Sequence, residues 1–341
     1  MSLETSGPCA LAPDDLRILR ALQLAPRAPF ATIAAVLGLS EASLSRRHGR
    51  MRRAGVLHVA GVVDPGAFGQ TQWLVRLRCR PGSAAAIAES LALRGDVGWV
   101  ALSAAGTEVT CVVRSRSTEA REDLLEKRLP RTAAVLDLEV AVLMRKFAGG
   151  RGEYRTVFDG VLTPEQEVAL GGVDEAVVEK SAVSDVGPLQ DGDEALLDAL
   201  VRDGRASHVD LASATGLTPG RAARRLADLV GRRVVHFHLE LAPAALGLDV
   251  GANLWLHVHP SQVRAVGRAL AALPQVGFAL AVSGRTNLHA LVHCHDVDEL
   301  FELTSDRVGS LPGVDGVEVS PVLRHVKQSG ALSIGRRLKT A

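Results

Sequence analysis

The chain has 341 residues, 47% of them hydrophobic, and its 39 Lys and Arg nearly balance 38 Asp and Glu, leaving a formal net charge of +1. That length exceeds one ordinary core and suits several compact units, while the near-neutral balance excludes charge-driven disorder and a globally basic surface, so any nucleic-acid patch must be local. No stretch approaches the roughly 18 uncharged apolar residues of a membrane span, and Met1 to Ala12 lacks a basic start followed by an apolar run, so a soluble cytoplasmic protein with no membrane partner is expected.

Asp14 to Gln23 places Leu16, Leu19 and Leu22 near one helical face, and Pro26 and Pro29 end that helix. A second short helix, Ala31 to Leu37, turns Ile33, Val36 and Leu37 inward. Gly38 then supplies a tight turn, Leu39 plugs the corner, and Ser40 caps a third helix running to about Ala54. In that helix Leu44, His48 and Met51 fall on the core face, and Ser43, Arg46, Arg47, Arg50 and Arg53 are expected to point outward, with Ser40 and Ser45 beside them. Between Ala12 and Ala60 eight Lys/Arg meet three Asp/Glu, a local positive field that the whole chain conceals. An isolated arginine run reads as a solvated face. Here it follows two helices and a Gly-Leu-Ser turn, the order that lays its last helix in the major groove of double-stranded DNA. His48 is expected to be a packed core side chain without a functional role. Val56 to Val62 alternates as a strand and completes a winged helix-turn-helix over residues 12–66.

Residues 70–148 read as strand (Trp73 to Arg80), helix (Ser83 to Arg94), strand (Val97 to Ser103), strand (Val109 to Arg116), helix (Thr118 to Leu129) and strand (Ala134 to Met144). That βαββαβ order predicts a four-stranded antiparallel sheet with both helices on one face. Val75, Leu77, Cys79, Val109, Cys111 and Val113 should face the helices, leaving Leu74, Arg76, Arg78, Arg80, Thr110, Val112 and Arg114 on an open, half-apolar face that wants a partner. The four cysteines, Cys9, Cys79, Cys111 and Cys294, have no CxxC spacing, so core packing is expected of them rather than a disulfide or zinc site.

Residues 151–187 match nothing else in the chain, are rich in Glu, Asp, Gly and Val, and read as an acidic linker with one short helix starting at Thr163-Pro164-Glu165. Beyond them the chain is written again. Gly38-Leu39-Ser40 returns 178 positions later as Gly216-Leu217-Thr218, and Gly98 and Val113 return 179 positions later as Gly277 and Val292. A second winged helix-turn-helix is therefore expected over residues 188–247 and a second βαββαβ unit over 251–328, making an α+β fold of two tandem copies. The second recognition helix carries Thr218, Arg221, Arg224 and Arg225, but Asp191, Asp193, Glu194, Asp198, Asp203 and Asp210 crowd its module, so the first module should hold DNA more tightly.

Histidines appear in alternate pairs, His236/His238, His257/His259 and His293/His295, with His289 nearby. His257, His259, His289, His293 and His295 are placed to converge on the open face of the second sheet and are candidate metal ligands. The competing reading is that they are polar interface positions, since four of them replace Arg78, Arg80, Arg114 and Arg116 of the first copy. No cofactor-binding loop, Ser-His-Asp set or paired catalytic carboxylate stands out, so neither a cofactor nor an enzymatic role is expected.

This plan, with Asp203-Gly204-Arg205, the Gly-Leu-Ser and Gly-Leu-Thr turns, Leu311-Pro312-Gly313-Val314 and the closing Arg324-His325-Val326-Lys327, resembles the Lrp/AsnC (feast/famine) regulators. The resemblance implies a transcriptional regulator that self-associates through its sheet faces, as an intramolecular pseudo-dimer or a homo-oligomer. It also implies a small effector, commonly an amino acid, at the turn between the second and third strands, here Ala105, Gly106, Thr107 and Glu108, and in the second copy Gly284, Arg285, Thr286 and Asn287. Siroheme decarboxylases look like the same two-module plan, and the histidine-rich second sheet makes such a tetrapyrrole enzyme the alternative expectation.

Overall fold

In the computed structural model, described for residues 11–115, 117–149, 152–171 and 189–339, two helical heads sit on a closed β-barrel. Cys9 and Arg116 lie outside the described residues. The first head contains α1 (Pro13–Leu24), α2 (Phe30–Leu37), α3 (Glu41–Arg53) and strand β1 (Leu57–Val63). Gly38 takes a left-handed φ of 68° to turn the chain, and the Ser40 hydroxyl accepts from the Ser43 amide at 3.2 Å to start α3. Ile18, Leu19, Leu22, Ile33, Leu44 and Met51 fill the core of this head. The second head repeats it with α8 (Asp193–Arg202), α9 (His208–Thr215), α10 (Pro219–Gly231) and strand β6 (Val235–Leu241).

The strand expected of each wing is present, but it pairs with its own repeat. β1 and β6 run antiparallel, and Ala60 lies opposite His238, the residue 178 positions later, so an internal two-fold axis passes through that pair. The same axis relates two arginines. Arg27 donates to the carbonyls of Gly204 and Ala206 (3.1 Å to Ala206), and its equivalent Arg205 donates to those of Pro26 (2.6 Å) and Ala28 (3.0 Å). Each head thus clamps the loop of the other, in the self-complementary manner of a two-fold interface. The clamp explains a chain that needs Gly204, because a Cβ there would meet the Ala60 carbonyl carbon at 2.8 Å.

The remaining strands close into a barrel. The first copy supplies β2 (Trp73–Cys79), α4 (Ala84–Ala92), β3 (Val97–Ser103), β4 (Glu108–Val113), α5 (Thr118–Glu122) and β5 (Val135–Ala148). After the segment 152–171, which carries α6 (Arg155–Phe158) and α7 (Pro164–Ala169), the second copy supplies β7 (Val250–Val258), α11 (Val263–Ala272), β8 (Val276–Val282), β9 (Leu288–Cys294), α12 (Val297–Glu302) and β10 (Val314–Gln328). Both α5 and α12 continue as wider π-type turns, to Arg128 and Val308. Beyond β10 a hairpin of β11 (Ala331–Ile334) and β12 (Arg337–Leu338) folds back, and Leu338 donates its amide to Gly55 at 2.9 Å.

Sequence places the final strand of each copy at about ten residues, but β5 and β10 run to 14 and 15 because each changes partner along its length. β5 pairs with β2 as far as Val142 and with β8 from Leu143. β10 pairs with β7 up to Val322 and with β3 from there to Lys327. The hydrogen-bonded circuit is β3-β4-β2-β5-β8-β9-β7-β10, returning to β3. Cys79, Cys111 and Val109 pack under the first pair of helices, Cys294 and Leu254 under the second, and Leu74, Val112, Trp255 and Leu280 meet inside the barrel. The open sheet faces have therefore found each other within one chain. The segment read as a linker is partly built into the first head: Tyr154, Phe158 and Leu162 are buried in its core, and Arg20 donates to Glu167 at 2.8 Å.

Candidate DNA-reading helices and the inter-sheet site

On α3, Ser45, Arg46, Arg50 and Arg53 are exposed and Ser43 is half-buried, so 46, 50 and 53 form one stripe at helical spacing. Arg47 does not join it. The fully buried Asp15 carboxylate accepts from the Ala12 amide at 2.9 Å and from Arg47 at 3.0 Å, and it also receives Arg50, while Asp14 lies 3.5 Å from Arg47. Burial pulls the Asp15 pKa upward, but these hydrogen bonds and the Arg50 charge outweigh it and hold it below the usual carboxylate value. The outward orientation expected of Arg47 is thus corrected. It braces α3 against α1, leaving Arg46 and Arg53 as the cations free to face solvent, while Arg50 is exposed but also tied to Asp15.

The second head follows the same rule. Arg225 is held by buried Asp193 and pairs with Asp228 at 2.6 Å, so it too is structural, while Thr218 caps α10 through the Arg221 amide at 3.4 Å. Arg221 and Arg224 are exposed. His48 packs against Phe30 at 4.9 Å, and burial, with Arg205 and Arg52 nearby, pushes its pKa down to about 4, in keeping with a neutral core imidazole.

The strand-turn residues are committed elsewhere. Glu108 is buried, accepts from Arg76 at 2.7 Å and from Ser320 at 2.8 Å, and shares Arg76 with Glu318 across the barrel. Thr107 closes its own turn on the Ala104 carbonyl at 2.8 Å, and Ala105 sits at a φ of 53°, next to Gly106 at 84°. In the second copy both ends of the Asn287 amide bond the Val258 backbone, at 2.6 and 3.0 Å. Gly284 holds a φ of 107°, the Arg285 carbonyl takes His257 Nδ1 at 3.0 Å, and Thr286 completes the turn. Neither acid nor amide at these turns is left to greet a ligand.

The five candidate metal ligands do not converge. His257, His259 and His295 are exposed at strand ends, the latter two bonding Ser261 at 2.9 Å and Glu299 at 2.8 Å, while only His289 and His293 face the barrel interior. Among the described residues no group of three or more His, Cys, Asp and Glu is arranged to hold a metal ion. What does converge on the interior is a different set, around a shared cavity. His293 lies 6.0 Å from His325 and 5.2 Å from Tyr154, and His238 sits 3.6 Å from Glu153 and 3.5 Å from Glu240. Leu74, Trp99, Phe278 and Leu280 add apolar lining to the same cavity. Burial lowers His289 to about 3, His293 to about 4 and His325 to about 3, so these rings are neutral at pH 7, whereas Glu153 and Glu240 overcome burial and raise His238. Sequence reasoning did not place Tyr154, Glu153 and Glu240 here. The one tyrosine of the chain, standing in a segment without a repeat, was the available signal.

Sequence models of the AsnC-type helix-turn-helix domain match residues 14–52 and 189–230, and the Lrp/AsnC ligand-binding domain matches residues 252–332. An HTH-type transcriptional regulator of Pyrococcus abyssi is 27% identical over 143 residues, 42% of this chain and 90% of the relative. The regulatory protein AsnC of Escherichia coli K12 is 22% identical over 142 residues, 40% of this chain and 93% of its own. Over its whole length the fold is similar to the crystal structure of the siroheme decarboxylase NirDL, with a TM-score of 0.60, 15% identity and 94% of each chain covered. No helix among the described residues is long and apolar enough to cross a membrane. With two helix-turn-helix matches, a ligand-binding match and the same two-module unit folded twice about an internal axis, the chain belongs to the Lrp/AsnC family in a tandem, double-length form.

Proposed function

We propose that the protein is a DNA-binding transcriptional regulator whose first head makes the stronger duplex contact, with a small effector adjusting how the two heads are held. The observation that carries this reading is the exposed stripe of Arg46, Arg50 and Arg53 on the helix that follows the capped Gly38-Leu39-Ser40 turn. Guanidinium groups on such a helix supply phosphate contacts or bidentate readout of guanine, and Ser43 lies along the same side. In the second head Arg221 and Arg224 offer a weaker version, beside Asp228. An amino acid or related metabolite is the effector class that fits the ligand-binding family.

The test is fluorescence anisotropy on a duplex selected from the source genome. Arg46→Ala combined with Arg53→Ala should weaken binding about 100-fold, at roughly 1–3 kcal/mol per contact, without lowering the melting temperature. Unchanged affinity would remove α3 as the reader. A second reading, a tetrapyrrole decarboxylase, is favoured by the histidines lining the barrel cavity within a fold that parallels NirDL along its whole length. Titration with iron-uroporphyrin separates the two. A saturable Soret shift with no duplex affinity would reverse the order.

A further inference from the structure

The two recognition helices share one register. Ser40 caps α3 and Thr218 caps α10, each through the amide three residues on. Leu44 and Met51 of the first and Ala222 and Leu229 of the second are buried, and Arg47 and Arg225 brace against the buried carboxylates of Asp15 and Asp193. Each of these pairs is 178 positions apart, so every solvent-facing position of α3 has one counterpart on α10. The outward stripe of α3 is Ser43, Arg46, Arg50 and Arg53, and the same positions of α10 hold Arg221, Arg224, Asp228 and Gly231. All but the half-buried Ser43 are exposed.

Only Arg46 and Arg224 agree. Toward the helix start a serine stands against an arginine, and toward the helix end two arginines stand against an aspartate and a glycine. A recognition helix in the major groove brings its N-terminal residues to the base edges, where an arginine takes guanine through O6 and N7. Its later turns lie nearer the sugar-phosphate strands. There Arg50 and Arg53 attract phosphate, whereas the Asp228 carboxylate, 2.6 Å from Arg225 and 3.1 Å from Arg232, does not. The first head is thus equipped for grip and the second for one more base.

The heads are also fixed to each other. β1 pairs with β6 about the internal axis, and Arg27 and Arg205 each bond the loop of the opposite head. Two helices related by a two-fold axis address half-sites in inverted orientation, at a separation set by the protein.

We infer that the protein recognises a duplex site of two inverted but unlike halves at one fixed spacing, in which the first head supplies backbone affinity and Arg221 of the second head takes a guanine that has no counterpart in the first half. The inference rests on the regulator reading given above and adds to it the form of the operator. Unlike halves give the site a direction, so the protein sits on it one way round, as two identical subunits on a palindrome do not.

Selection from a random duplex library with the full chain, followed by fluorescence anisotropy on the selected site, tests the inference. The two halves should agree at the contact shared by Arg46 and Arg224 and differ beside it, with guanine in the half under α10. Replacing that guanine should weaken the parent about tenfold and leave the already weaker Arg221→Ser variant unaffected, with no change in its salt dependence. Ser43→Arg, which copies the second head onto the first, should bring a guanine preference to the symmetry-related base. Inserting about five base pairs between the halves, roughly half a helical turn, should cancel the contribution of the second half. Identical halves, sequence preference confined to one half, or a guanine preference that survives Arg221→Ser would overturn the inference and leave the regulator standing. Failure to enrich any duplex would remove both.

Discussion

Single residues in this protein do their work through burial. His289, His293 and His325 are held neutral inside the barrel with lowered pKa values, so the folded state binds fewer protons than the unfolded chain once pH drops below about 6.5. Their full contribution to stability is present above that value and is lost as pH falls toward 4 and 3. A tenfold loss of proton affinity on folding corresponds to about 1.4 kcal/mol, so the melting temperature measured by circular dichroism should fall steeply between pH 6.5 and 4. His293→Asn combined with His325→Asn should flatten that limb; a melting temperature constant over this range in the parent would contradict the assignment. The buried aspartates act at lower pH. Asp15 and Asp193 have pKa values held below normal, so their contribution is lost only as pH falls below about 4. The same two carboxylates explain why the reading of the basic helix was half right. Periodicity alone sets Arg46, Arg47, Arg50 and Arg53 on a free surface, but which of them is free depends on Asp15 at the start of another helix.

At the level of elements, heads, turns and strands were legible because each is fixed locally. The glycine turns, the hydroxyl caps and the alternation of Val75, Leu77 and Cys79 are visible within a few residues. Partner choice was not. That β1 pairs with β6, and that β5 and β10 each serve two sheets, depends on contacts more than a hundred residues apart. For the same reason the histidine pairs misled: alternate spacing assigns a face, but His257, His259 and His295 stand where the strands end and reach solvent. The Arg27 and Arg205 clamps belong to this scale as well. Each makes two charge-assisted bonds to carbonyls of the other head, of a type worth about 1.5–3 kcal/mol. Replacing either by Ala should destabilise the head pair by about 2 kcal/mol and speed amide exchange at residues 27–28 and 203–206. Unaltered exchange in the double variant would show the heads to be held by β1 and β6 alone.

For the molecule as a whole, duplication inside one chain permits what two identical subunits cannot, a two-fold architecture with unequal halves. Arg114 opposes His293, and the basic first head opposes a second head in which Asp193 and Asp228 claim Arg225. The repeat itself was legible from offsets of 178 and 179, and so was the inequality of charge between the heads. The barrel, its cavity and the part played by Tyr154 were not, since they arise only when both copies close on each other. The central claim is that this unequal pair of heads grips DNA chiefly through the first. Its most direct test is the salt dependence of duplex affinity for the parent, for Arg46→Ala with Arg53→Ala, and for Arg221→Ala with Arg224→Ala. Each lost phosphate contact lowers the log–log slope by about 0.9, so the first double variant should lose about 2 in slope and the second clearly less. Equal losses, or a parent with no affinity for any duplex at low salt, would contradict the account.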